Sequence, residues 1–384
     1  MRRWFPAFLF LLIACGSLAA RASDLADQIR AAQSSGEFER AAALYRQLIA
    51  SGQDTPEIRS NFAAMLHFSG HDREALGQAQ IALKLNPNLA GANLIAGVVL
   101  SHIGRSGEAL PYLQRAHQQD PRGTAPLLAL GQVYVSVRDY ARSNAAYLEA
   151  SRLAPDNAEA WYGLGITYRS LADAAIKRSP ARTIPPQAKQ SLDSALAALS
   201  KAVNLQPESR RARLILAESY RDSGKFVDAV NEYQTLLRLS PDDPAVELGL
   251  ATTYWKAGEI DNAVPALEKV LRKLPDDPEA NGIMAEILVR RGDFKGGAPY
   301  AKKALKGNPE LLQVRFALAK IYLSENQPDL AIAELKMAVA ADPDGTYHYL
   351  LHRALEMVGR EDEAAAALAE FRRLREASHG FPRE

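Results

Sequence analysis

Small apolar residues recur along this chain on a beat that a single amphipathic helix cannot produce. They stand at the eighth place of successive blocks, as Ala63, Gly97, Gly131, Gly165, Ala217, Ala251, Ala285 and Ala319. The twentieth place of those blocks is small again, as Ala75, Ala109, Ser143, Ala195, Ala229, Ala263, Gly297 and Ala331, with Ala195 displaced by an insertion. Larger side chains such as Leu130, Tyr147, Leu216 and Tyr233 lie between them. A small residue on each of two successive helices lets the pair approach closely, and the larger ones fill the seams on either side. The pattern predicts a chain of paired helices with no strands.

Proline and glycine set the length of the block. Pro87, Pro121 and Pro155, then Pro207, Pro241, Pro275, Pro309 and Pro343, are 34 residues apart except for the 52 between Pro155 and Pro207. Gly36, Gly70, Gly104, Gly224, Gly258, Gly292 and Gly359 keep the same period, with one residue lost before the last. Glycine at the fifteenth place suits the left-handed residue that ends a first helix, and Asn326 can take that role in the ninth block. Proline at the thirty-second place stops the second helix. A fixed period means stacked units rather than separate globules.

The block "AEAWYGLGITY", residues 158–168, places Trp161, Leu164, Gly165 and Tyr168 at the signature spacing of the tetratricopeptide repeat, which the whole of residues 22–378 resembles. Ten units are read, beginning at residues 22, 56, 90, 124, 158, 210, 244, 278, 312 and 345. The resemblance implies an all-α, right-handed superhelical solenoid of about ten helix-turn-helix units. It also implies that first helices line a concave groove that takes a protein or peptide partner.

The groove positions the family implies are Leu94, Val98, Leu128, Gln132, Tyr162, Ile166 and Arg169 in the first half, after Ser60, Ala64 and His67. In the second half they include Glu218, Arg221, Trp255, Glu286, Phe316, Lys320, Tyr349 and Arg353. Units two to five carry one charge there, Arg169, which suggests a surface meant to be covered. The lysine and asparagine of the family's carboxylate clamp are missing, so capture of a free C-terminus is not expected.

Two departures from the period stand out. Residues 174–193, "AAIKRSPARTIPPQAKQSLD", carry Lys177, Arg178, Arg182 and Lys189 without an acid between Asp173 and Asp193. Apolar periodicity continues past Leu171 to Ile176 and resumes at Leu192, so two overlong helices with a turn at 179–186 are expected. The terminal units place Ile29 and His352 where the others have a small residue. Terminal repeats are commonly atypical.

The first 22 residues lie outside this pattern. Arg2 and Arg3 precede an apolar run from Trp4 to Ala14, which is too short for a spanning helix of about 20 residues. It reads as an export signal, with two addresses left open. Leu12-Ile13-Ala14-Cys15 has lipobox order, so Cys15 would be the lipidation site, whereas Ala20-Arg21-Ala22 before Ser23 is an A-x-A cleavage site. The protein is expected outside the cytoplasm, periplasmic or secreted, or tethered to a membrane through that lipid alone.

Charge and chemistry narrow the function. Forty-six basic against 45 acidic residues give +1 without long runs of one sign, so nucleic acid is not an expected partner. No nucleophile elbow, phosphate loop or dinucleotide fingerprint occurs in the sequence. His348, His352 and Glu356 share a helix face, but they occupy places that face the partner helix and lack the H-E-x-x-H pattern, so packed histidines are expected. No catalytic residue, cofactor or metal site is read. The expected function is a non-enzymatic scaffold or adaptor of the cell envelope. The alternative is a structural part of an envelope assembly for polysaccharide, pilus or outer-membrane machinery, by analogy with exported relatives.

Overall fold

A computed structural model of the chain describes residues 16–178 and 184–379. The expected features at Arg2, Arg3, Cys15 and Arg182 and in the last five residues fall outside the described residues. Among the described residues there are twenty α-helices, one 3-10 turn and no strand.

The helices are α1 Gly16–Ser34, α2 Phe38–Ala50, α3 Pro56–Phe68, α4 Asp72–Leu85, α5 Ala90–His102, α6 Ser106–Gln119, α7 Thr124–Ser136, α8 Tyr140–Leu153, α9 Ala158–Arg178 and α10 Pro186–Leu205. They continue with α11 Arg210–Asp222, α12 Phe226–Leu239, α13 Pro244–Lys256, α14 Ile260–Lys273, α15 Pro278–Arg290, α16 Phe294–Gly307, α17 Leu312–Ser324, α18 Pro328–Ala338, α19 Thr346–Met357 and α20 Glu361–His379. The chain divides into two compact units, Met1–Ile215 and Leu216–Glu384. In the first, one core runs from Ile29 to Ala198. In the second, clusters run through Ala251–Ile287, Ala285–Ile321 and Ala319–Ala367 among the described residues.

The small residues do what their spacing predicts. A methyl group on Gly97 would meet Leu113 at 2.5 Å, one on Gly131 would meet the Tyr147 ring at 2.6 Å, and one on Gly165 would meet Leu199 at 2.5 Å. Ala63, Ala75, Ala109, Ala217 and Ala229 have no exposed surface. Helix pairs therefore close on backbone-to-side-chain contact at the eighth and twentieth places.

The turn inside each pair is a repeated piece of backbone chemistry. Gly36, Gly70, Gly104, Gly224, Gly258, Gly292 and Gly359 all have positive φ, and Asn326 at 58° and Arg138 at 60° fill the same place in two other units. The next residue's N–H then reaches back five residues, as in His71 to Leu66 O at 2.8 Å and Gln327 to Tyr322 O at 2.8 Å. This satisfies carbonyls that a helix end leaves open.

A second device joins one pair to the next. The proline carbonyl after a second helix accepts a bond from the side chain six residues on: Asn93 to Pro87 at 3.0 Å, Trp161 to Pro155 at 2.9 Å, Arg213 to Pro207 at 2.7 Å, Asn281 to Pro275 at 3.1 Å and Arg315 to Pro309 at 2.9 Å. In the last repeat the arrangement is different. Asp342 accepts from the Gly345 and His348 backbone N–H groups at 2.9 Å each, and its Oδ2 lies 2.7 Å from His348 Nδ1.

The insertion lengthens both helices of its unit, as its periodicity predicts. Ala172 stands where other units have a left-handed glycine, so nothing ends the first helix and α9 runs to Arg178. Ala172 and Ala188 are fully buried, while Lys177, Arg178 and Lys189 are exposed. Pro185 and Pro186 set the start of α10. At the other end, the 19-residue α20 brings Phe371 against the Tyr349 ring, with 5.1 Å between centroids. Gly345 sits so close to Phe371 that a methyl there would lie 2.8 Å from its ring.

Candidate functional site

In the first unit the expected groove residues are mostly spent on packing. Leu128 is 3% exposed and Tyr162 7%, so neither offers the open apolar surface expected of it. Helices α5 and α9 both pack against α7, which carries Leu128. Tyr162 lies beneath Arg211, whose guanidinium carbon is 4.1 Å from the ring centroid and whose Nε donates to the hydroxyl at 2.6 Å. Leu94 and Val98 are half-buried against the core. Ile166 is half-buried and Gln132 exposed. Arg169 reaches the Ile215 carbonyl at 3.5 Å.

The second unit gathers a different set of side chains. From α13, α15, α17 and α19 come Trp255, Glu286 with Arg290, Phe316 with Lys320, and Tyr347. Phe316 and Tyr347 stack with centroids 4.0 Å apart and planes 12° from parallel. Arg290 lies 6.0 Å from the Trp255 ring and Lys320 5.9 Å from the Phe316 ring. Burial pushes the Glu286 carboxyl up to about 7 despite the opposing pull of Arg290. Burial, and then the Glu286 charge, push the Tyr347 hydroxyl upward as well. Successive first helices thus present aromatic, acidic and basic groups on one strip.

Two polar groups of this strip have no partner among the described residues, and one of them is fully buried. The Trp255 Nε1–H is buried with no hydrogen-bond partner among the described residues. Glu286 forms no hydrogen bond or ion pair among them, and feels Arg290 only through its field. A buried donor or acceptor left unpaired costs about 1–3 kcal/mol. A ligand that accepts from the Trp255 indole recovers that cost, while the half-buried Glu286 offers it a carboxyl open to a donor.

Other expected residues point elsewhere. Arg221 is held by Asp222 at 3.4 Å and the Tyr233 hydroxyl at 3.3 Å. Tyr349 leans on Phe371, and it is Tyr347, two residues earlier, that joins the strip. The register of α19 is reset by the 3-10 turn Val339–Ala341 and the left-handed Gly345 before it. Arg353 is exposed. His348 turns its Nδ1 to Asp342, while His352 Nδ1 lies 3.1 Å from the Ala364 carbonyl and Nε2 lies 3.5 Å from Glu356. Each histidine is engaged with a different group, as packed histidines are. Among the described residues no helix is long and apolar enough to cross a membrane.

Two sequence profiles, both described as tetratricopeptide repeat, match the chain, one over residues 220–287 and 288–355 and the other over 69–124, 128–180 and 187–244. The chain belongs to the tetratricopeptide repeat family. Repeats of this family generally mediate protein–protein contacts and bind protein or peptide partners. Among solved structures, the APC/C hetero-tetramer Cut9-Hcn1 is similar at a TM-score of 0.50 and 15% identity, covering 89% of this chain and 77% of that one. Pseudomonas aeruginosa PilF gives a TM-score of 0.49 at 17% identity, over 60% of this chain and 97% of that one. YrrB, described as a TPR protein with an unusual peptide-binding site, gives 0.43 at 20% identity over 53% of this chain and 95% of that one. A comparison with curated proteins gives no match.

Proposed function

We propose that this tetratricopeptide repeat protein is an exported, non-enzymatic scaffold of the cell envelope that holds a peptide or protein segment on first-helix surfaces. The strip of Trp255, Glu286, Phe316 and Lys320 is its main anchoring place. The observation that carries this reading is the pair of unspent polar groups, the Trp255 N–H and the Glu286 carboxyl, beside stacked aromatic rings. An extended segment offers what they lack. Its carbonyl accepts from the indole, and its amide or a basic side chain donates to the carboxylate, while the rings cover its apolar groups. Export rests on Arg2, Arg3, the apolar run and the two processing addresses in residues 1–22.

The binding half is tested with the full chain on an array of random peptides. Trp255→Ala, Glu286→Gln and Lys320→Ala should each weaken the bound set at least about tenfold with helicity unchanged. Unaltered binding by all three folded variants overturns the assignment of the strip. The export half is read by mass spectrometry of the native N-terminus. Ser23 or a lipidated Cys15 at that end supports it, and a chain retaining Met1 in the cytoplasm sinks it.

A further inference from the structure

In the first unit, two helix ends and one helix start converge. His67 lies in the last turn of α3, Asp72 opens α4 and His102 closes α5. The Asp72 carboxylate bridges the two rings, with Oδ1 2.6 Å from His67 Nδ1 and Oδ2 2.5 Å from His102 Nδ1. The imidazoles meet edge to face with centroids 5.3 Å apart. One donor atom from each of the three residues lies within 4.8 Å of the other two.

We propose that His67, Asp72 and His102 form a binding site for a divalent transition-metal cation of the zinc class. Two imidazole nitrogens and one carboxylate oxygen are a donor set that such ions accept, with the remaining position left to water. Without an ion, each Nδ1 carries a proton and donates it to Asp72. When a cation binds, the two Nδ1 protons pass through solvent to the Nε2 atoms, and the freed Nδ1 lone pairs and one carboxylate oxygen turn to the ion. Each Nδ1 already stands at hydrogen-bond spacing from Asp72, and the three donor atoms lie within 4.8 Å of one another.

Burial and field both favour this. The His67 and Asp72 side chains are only 14% and 15% exposed, so their geometry is held by the fold. The His102 side chain is 57% exposed, which gives the ion an entry path and leaves room for a water ligand. Both histidines sit at helix C-termini, where the aligned peptide dipoles place about half a negative charge each. The α4 N-terminus at Asp72 offsets one of these with about half a positive charge, so the carboxylate decides that the fixed field is negative before any ion arrives. The bound cation would tie the α3–α4 turn to the end of α5, which joins the second repeat to the third.

Chelator-treated full-length protein titrated with Co2+ alone should saturate near one equivalent and develop the visible d–d absorption of a low-coordinate N/O site. Zn2+ alone should then displace it and raise the thermal midpoint. His102→Ala, an exposed change that leaves helicity intact, should weaken binding by more than the roughly 10–100-fold lost when a residue that only orients a ligand is removed. His67→Ala should do the same wherever it remains folded. No saturable Co2+ binding, or saturable binding that His102→Ala leaves unchanged, overturns the proposal.

Discussion

Asn93, Trp161, Arg213, Asn281 and Arg315 have little in common chemically, yet each donates to the carbonyl of the proline six residues before it. Any side chain with an N–H at that reach serves, which is why the place looks variable in the sequence. The small places are the reverse, since shape alone decides them. Gly163 packs face-on against the Tyr147 ring, closer than any Cβ tolerates, whereas Gly77 in α4 has nothing within 4 Å. Gly163→Ala is therefore expected to destabilise by about 1–3 kcal/mol through overpacking. Gly77→Ala should stabilise by about 0.5–1 kcal/mol through helix propensity. Denaturant midpoints of the two variants check this, and equal shifts would contradict it. Glu286 gives a residue-scale prediction in pH. Its folded value of about 7 lies above the ordinary 4.5, so between those values the folded chain keeps a proton that the unfolded chain has lost. Stability from this group falls as pH rises through that window and levels off above it. Glu286→Gln should then gain on the parent protein between pH 5 and pH 8, and an unchanged difference in melting midpoint across that range would refute it.

At the scale of the element, the periodicity named nearly every helix, because proline and left-handed glycine act locally and leave their mark in the spacing. Arg138 is the turn that the glycine count did not show. It occupies the left-handed place with φ of 60°, and its backbone still closes the turn, with Asp139 N–H to Tyr134 O at 2.8 Å. A non-glycine residue there bears about 1–2 kcal/mol of steric cost, so Arg138→Gly should raise stability by about 1 kcal/mol. A loss in the melting midpoint would mean that the arginine side chain contributes more than its backbone costs. The insertion follows from the same logic in reverse. Ala172 allows α9 to continue, and the extension closes on Ala172 and Ala188. Removing residues 173–190 together with Ala172→Gly should restore the ordinary turn and leave the remaining helices folded, with the circular dichroism per residue retained. A shortened chain that loses its helical signal would show that the extension supports its neighbours. Sites were harder to read than helices. His67 and His102 are 35 residues apart, one period plus one, so successive first helices bring them together at Asp72. A search for ligands along one helix finds His348 and His352 and passes over this trio. Tyr347 was missed for a related reason, since the reset before α19 moves it into the place counted for Tyr349.

At the scale of the whole molecule, a period reports each repeat's nearest neighbours and nothing about how far a core extends. The 34-residue beat runs through α11 unbroken, yet the chain divides within that helix, between Ile215 and Leu216. Among the described residues the first unit carries a core from Ile29 to Ala198, and the second carries clusters in succession from Ala251 to Ala367. In a stack of repeats, stability is a sum of unit and interface terms, so a core broken into clusters allows each cluster to open separately. Hydrogen exchange resolved by peptide should therefore show the buried helices of the first unit, α3 to α8, opening as one block. In the second unit, helices of the clusters centred on Leu267, Val314 and Leu355 should exchange with opening free energies that differ by at least about 1 kcal/mol. Uniform protection across the second unit would mean that its clusters are coupled as tightly as the continuous core of the first, and that the breaks between them carry no energetic weight.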